Sequence, residues 1–281
     1  MLKRSQIFVA EHDYLCFYNN SANPDTSLNR RSVTVNLKTK NEASPRKLAH
    51  LVKATNCLSA KLTASLEQQP KAVNGVPIVI ESCLRYFTNA VDCEGLFRVP
   101  GNERLVDQMW DYMQNPFARL STNSISLFMS KHPTFSPHEV STFLKRFVGS
   151  MDGIEPVLTY LCYGPLFDLM KQECPEDIID EKCKRIIGQL LVPDHRALLG
   201  RLCGFLLNLS QRVEDTRMDI SALAVCFGCL IREPPNTKQQ CSPSKMNPKQ
   251  LMDHMLAQKE ICKLNALIIE TLIKHSQCVF A

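Results

Sequence analysis

The stretch Cys93-Glu94-Gly95-Leu96-Phe97-Arg98-Val99-Pro100-Gly101-Asn102 holds the residue types needed to present a cation from a fixed loop. Gly95 permits backbone angles closed to other residues, or a close approach by a neighbour. Pro100-Gly101 reads as a turn, and Asn102 can cap a helix that follows it. Leu96 and Phe97 are suited to pin the loop against a core. Arg98 then stands out as a long cation, and its guanidinium is a fixed fork of donors that fits phosphate oxygens. The same residue also reads as an ordinary surface arginine paired with Glu94 or Glu103.

Other chemistries find little support. The seven histidines are dispersed. No H-E-x-x-H, G-x-S-x-G, P-loop or G-x-G-x-x-G run occurs. Thirteen cysteines are present, and only Cys226 and Cys229 form a C-x-x-C. No second pair follows at zinc-finger distance, and the motif lies in an apolar run, so reduced core thiols are expected there. Asp177, Asp180 and Glu181 cluster near a helix start, where acidic side chains complement the helix dipole.

The elements that must hold the loop are helical. Pro77 suits a first helical position and opens a helix over 78–90, with Ile80, Leu84 and Phe87 inward. Ser136-Pro137-His138-Glu139 is a capping box. Behind it Val140, Phe143, Leu144, Phe147 and Val148 follow the spacing of one buried helical face. Asp194 can cap a helix bearing Leu198, Leu199, Leu202, Phe205, Leu206 and Leu209. Asp219 can cap an apolar, central helix over 220–231. A last helix over about 249–276 sets Ile261, Leu264, Leu267, Ile268, Thr271 and Leu272 on one face. These periodicities predict an all-α bundle over 72–281.

The first quarter differs. Residues 1–74 carry a net charge of +6 and the remainder −1. Residues 1–71 read as a basic, largely flexible segment, with short strands at 7–10 and 33–37 and a helix at 49–66 as its only candidate elements. Such a segment is either a solvated arm or a weak contact for membrane or an acidic partner. The 72–281 part has no basic stripe with interleaved aromatics, so nucleic-acid binding is not expected. The longest apolar run, 222–231, is too short to span a bilayer. With no signal-peptide pattern and many reduced thiols, a cytoplasmic or nuclear location is expected.

Gly75-Val76-Pro77, Glu94-Gly95-Leu96-Phe97-Arg98, Leu144-Lys145, and Met218 followed by Leu223-Ala224-Val225-Cys226-Phe227-Gly228 occur in the order and spacing of the RhoGAP domain. The chain resembles this family over about residues 72–277. The resemblance implies a GTPase-activating protein, a regulator of another enzyme, acting on a Rho-family small GTPase in its GTP form. It implies that Arg98 is an arginine finger supplied in trans, worth ~10³–10⁵ in rate. It implies no metal or cofactor bound by this chain, since GTP and Mg²⁺ would belong to the partner.

The resemblance also assigns supporting roles. Lys145 matches the family's lysine on the helix facing the loop, where it would bond the loop backbone or meet an acid on the GTPase. Glu94 and Gly95 shape the loop. Gly149 stands where many members have arginine. Thr216-Arg217-Met218 replaces the usual Asn-Lys-Met, and Cys229 or Leu230 replaces the proline of Phe-Gly-Pro. Gly149, Thr216 and Arg217 are thus expected at the partner-facing rim. These departures leave a weakened or non-catalytic GTPase-binding module as the alternative.

Overall fold

The computed structural model describes residues 66–89, 93–150, 156–172, 175–232, 234 and 248–280. The candidate strands at 7–10 and 33–37 and all but the last residue of the 49–66 helix lie outside these. The helices α1 (Ile78–Asn89), α2 (Glu103–Gln114), α3 (Ser124–Lys131) and α4 (Pro137–Ser150) come first. Then follow α5 (Tyr160–Met170), α6 (Glu176–Leu190) and α7 (Pro193–Ser210). The last are α8 (Val213–Thr216), α9 (Ile220–Cys226), α10 (Pro248–Lys274) and α11 (Ser276–Val279). Three-residue to five-residue 3-10 turns join some of them, including Gly228–Leu230 after α9. Among the described residues, β pairing is limited to isolated bridges, Lys71 with Pro77 and Leu158 with Ile231. The all-α expectation holds.

Local signals explain several helix starts. The Asn102 side chain accepts from the Arg104 and Leu105 N–H groups and caps α2. The Asp219 side chain accepts from Ala222 N–H at 2.7 Å and caps α9. Each bond satisfies a backbone donor that the first turn leaves without a helical partner. Asp194 does not cap α7. Pro193 begins that helix after Val192, so Asp194 already lies in the first turn. Its carboxylate pairs instead with Lys71.

α4 is the platform of the site. Val140, Phe143, Leu144, Phe147 and Val148 are all buried, as their spacing requires. α1 and α2 pack on this helix, and so does the Gly228–Leu230 turn. α7 forms a second support, with α8, α9 and α10 against it.

Two expectations need correction. The apolar 220–231 segment is not one central helix. Phe227 leaves helical angles, burying its ring, and Val225 is 70% exposed. In α10 the inward face is Ile268, Ile269, Leu272 and Ile273, while Leu267 is exposed. The N-terminal half of α10 is mostly solvent-facing, so its apolar spacing there does not report a buried stripe.

Candidate functional site

The loop before α2 is buried on one side of Arg98 and open on the other. Leu96 and Phe97 are fully buried, whereas Arg98, Val99 and Pro100 are exposed. The Phe97 ring meets Phe227 at 4.9 Å and Phe87 at 5.2 Å between centroids, both edge-on. Phe205 lies at 6.3 Å. These four rings come from the loop, α1, α7 and the end of α9. Edge-on pairing adds about 0.5–1.5 kcal/mol per pair beyond burial.

The backbone is unusual where the ring enters the core. Phe97 has φ +71° and Gly95 φ +70°. A left-handed angle costs a non-glycine residue roughly 1–2 kcal/mol. Burying a phenylalanine ring, worth about 1.5–3 kcal/mol, offsets it. At Gly95 a side chain has no room as well as the wrong φ, since a Cβ would sit 2.8 Å from Val99 Cγ2.

Hydrogen bonds moor the loop at both ends. Gly95 N–H donates to the Thr216 carbonyl at 2.7 Å. Lys145 Nζ donates to the Phe97 carbonyl at 2.6 Å. Gly101 N–H donates to Thr142 Oγ1 at 2.8 Å, and Asn102 N–H to Glu139 Oε1 at 2.9 Å. Gly101 packs directly on α4, where a Cβ would lie 2.6 Å from Glu139 Cα. Glu139, Thr142 and Lys145 are spaced by three on α4, so one helical face holds the loop at Phe97, Gly101 and Asn102, while α8 holds it at Gly95.

Glu139 does two jobs. Its carboxylate accepts from the Ser136 N–H and hydroxyl, both at 2.6 Å, as the capping box requires. It also accepts the Asn102 bond. Burial opposes its ionisation, yet the hydrogen bonds from Ser136 and Asn102 hold its carboxyl below the usual carboxylate range. Next to it Cys93 Sγ lies 3.3 Å from His138 Nε2. Burial, helped by the Glu139 charge, pushes that thiol up.

Arg98 makes no side-chain hydrogen bond or ion pair among the described residues, so pairing with Glu94 or Glu103 is not realised. Glu94 is exposed at the loop entrance. Arg98 and Lys145 share a neighbour in Cys226. Burial pushes that half-buried thiol up, and the charges of Lys145 and Arg98 act in the opposite direction. Cys226 is therefore beside the site and not the core thiol expected from its apolar run. Among the described residues, no three His, Cys, Asp or Glu side chains gather as a metal site.

The three rim residues part company. Arg217 is exposed and left-handed, φ +55°. Gly149 is exposed, and a Cβ there would meet nothing within 4 Å. Thr216 is fully buried, which overturns its placement at the partner-facing rim. The four-residue α8 and the left-handed turn at Arg217 rotate its side chain inward. Its hydroxyl donates to the Arg212 carbonyl at 2.9 Å and accepts from Met218 N–H at 3.3 Å.

A buried aromatic anchor, an exposed arginine and a lysine on the loop carbonyl coincide with a family signature. Residues 77–236 match the RhoGAP domain model. The chain belongs to the RhoGAP family.

Its relatives agree with that membership. Rho GTPase-activating protein gacJ of Dictyostelium discoideum is 24% identical over 217 residues, covering 75% of this chain and 21% of that protein. Human Rho GTPase-activating protein 19 is 26% identical over 267 residues, covering 92% of this chain and 48% of that protein. The chain thus spans between about a fifth and a half of the length of these two relatives. The crystal structure of human Rho GTPase activating protein 15 superposes with a TM-score of 0.61 at 18% identity. It covers 86% of this chain and all of that one. The BH domain from Graf, the GTPase regulator associated with focal adhesion kinase, gives 0.54 at 18% identity over 74% of this chain and 96% of that one. At such identities the two structures speak for the fold alone.

No helix among the described residues is long and apolar enough to cross a membrane.

Proposed function

We propose that this RhoGAP domain accelerates GTP hydrolysis by a Rho-family small GTPase in its GTP form, with Arg98 entering the partner's site in trans. The observation that carries this reading is the contrast at one peptide bond: Phe97 is fully buried, and Arg98 is exposed without an internal partner among the described residues. A guanidinium already held by a carboxylate would have to break that bond before reaching a phosphate. Among the described residues Arg98 has no such bond to break.

The chemistry follows from charge. In phosphoryl transfer, negative charge spreads over the transferring group and the leaving oxygen, and a positioned arginine stabilises it. A loop tied down before the encounter loses little freedom when it inserts. Lys145 acts on the loop through the Phe97 carbonyl and is a positioning residue in this scheme. Gly149, Arg217 and Val225 are exposed and available to a partner. GTP and Mg²⁺ enter with the partner, and this chain supplies no cofactor. The basic excess of residues 1–71 suits a weak contact with acidic lipid or an acidic protein near the GTPase.

Single-turnover GTP hydrolysis by Rho-, Rac- and Cdc-type GTPases tests this. The wild-type chain should accelerate at least one of them. Arg98→Ala and Arg98→Lys should each remove most of the acceleration, by roughly 10³-fold or more for a full finger, while binding persists. Binding of the GTP form with hydrolysis at the intrinsic rate would favour a non-catalytic module instead.

A further inference from the structure

We propose that Thr216 is a positioning residue for the arginine loop and makes no side-chain contact with the GTPase. The proposal rests on the GTPase-activating reading for its kinetic consequence, while its structural half stands alone.

The geometry is specific. The Thr216 carbonyl accepts the Gly95 N–H at 2.7 Å, three residues before Arg98. Gly95 N–H is buried with its residue and would otherwise need another acceptor. Gly95 in turn sets the loop, since its carbonyl accepts from both Arg98 N–H at 2.9 Å and Val99 N–H at 2.8 Å. One carbonyl on α8 therefore holds the residue on which the arginine's own backbone hangs.

The Thr216 hydroxyl fixes the direction of that carbonyl. It donates backward to Arg212 and accepts forward from Met218, so it ties together the two chain segments flanking the peptide. Arg217 is left-handed, a conformation that lets the chain reverse after the carbonyl points at Gly95. The side chain is fully buried, so a hydroxyl lost here has no water to replace it. Serine keeps both bonds. Valine keeps the shape and loses them.

Amide exchange and kinetics on the full chain separate the possibilities. In the wild type, a through-hydrogen-bond coupling between the Gly95 nitrogen and the Thr216 carbonyl carbon should be detectable by NMR. Thr216→Val should raise Gly95 amide exchange about tenfold or more, the scale of one lost hydrogen bond, and Thr216→Ser should not. With a responsive GTPase, Thr216→Val should lower the maximal acceleration about tenfold with the half-saturating concentration unchanged.

Unchanged exchange in Thr216→Val, or no coupling in the wild type, overturns the proposal. A raised half-saturating concentration with the maximum intact also overturns it, in favour of a partner contact. Should the valine variant fail to fold, the wild-type coupling still decides. Should no GTPase respond to the wild type, the GTPase-activating reading fails, and exchange and coupling still decide the structural claim.

Discussion

Residues 95–97 and residues 98–100 are neighbours in the chain and opposites in environment. The first three are buried, carry two left-handed backbone angles and hold three external anchors, on Thr216, Lys145 and the phenylalanine cluster. The next three are exposed, and Arg98 has no internal partner among the described residues. The difference separates two kinds of requirement. The buried half must be correct for the domain to fold around it. The exposed half needs only to be available, and its match is set by another molecule. Mutations on the two sides should therefore fail in different ways.

The largest stability effect belongs to the buried half. Phe97→Ala should cost about 3–5 kcal/mol, seen as a lower urea midpoint, because it empties the centre of a four-ring cluster and leaves the strained φ without its compensation. Val225→Ala, at a 70% exposed position, should stay within about 0.5 kcal/mol. A comparable loss in both would dissolve the distinction between anchor and surface.

Lys145 lies between the two halves. Its Nζ bond to the Phe97 carbonyl joins a charged donor to the loop, and such bonds are worth about 1.5–3 kcal/mol. Lys145→Met should reduce acceleration of a responsive GTPase about tenfold to a hundredfold, with a smaller change in melting temperature. An unaltered rate would mean that the loop needs no cation behind it.

The smallest effect is a pH dependence of the loop's second mooring. Glu139 ionises more readily folded than unfolded, so its contribution is present at neutral pH. It is lost as pH falls from the ordinary carboxylate value near 4.5 through its lower folded value. In that window the unfolded chain binds the extra proton, and stability rises with pH. Urea midpoints from pH 3 to 7 should show less acid-side decline in Glu139→Gln than in the wild type. Parallel curves would show that this carboxylate does not carry the linkage.

Much of the anchor was legible in the sequence because it rests on local rules. Asn102 and Asp219 cap where their types and spacing say. The α4 face from Val140 to Val148 is buried as its period says. Leu96 and Phe97 turn inward as large apolar residues flanking a turn should. The misreadings share a cause. The family motif points Thr216 to the rim and the apolar run points Cys226 to the core, while their surroundings depend on a left-handed turn at Arg217 and a helix that stops before Phe227. No glycine marks the first event, and Gly228 directly follows Phe227 at the second. Glu139 reads as a cap in the sequence, and the spacing of three that it and Thr142 share with Lys145 does not by itself reveal a loop held on that face. The partner-facing surface was the least legible, since complementarity with an absent molecule leaves no periodic trace.

The central claim is that Arg98 stabilises transferring charge and does little for ground-state binding. Affinity for the responsive GTPase should therefore be measured in two states, with GTP held unhydrolysed and with GDP plus aluminium fluoride as a mimic of the transferring phosphoryl group. The account predicts that the wild type binds the mimic state much more tightly and that Arg98→Ala loses this preference while keeping its GTP-state affinity. If Arg98→Ala retains the preference, or loses both affinities equally, Arg98 is not the finger.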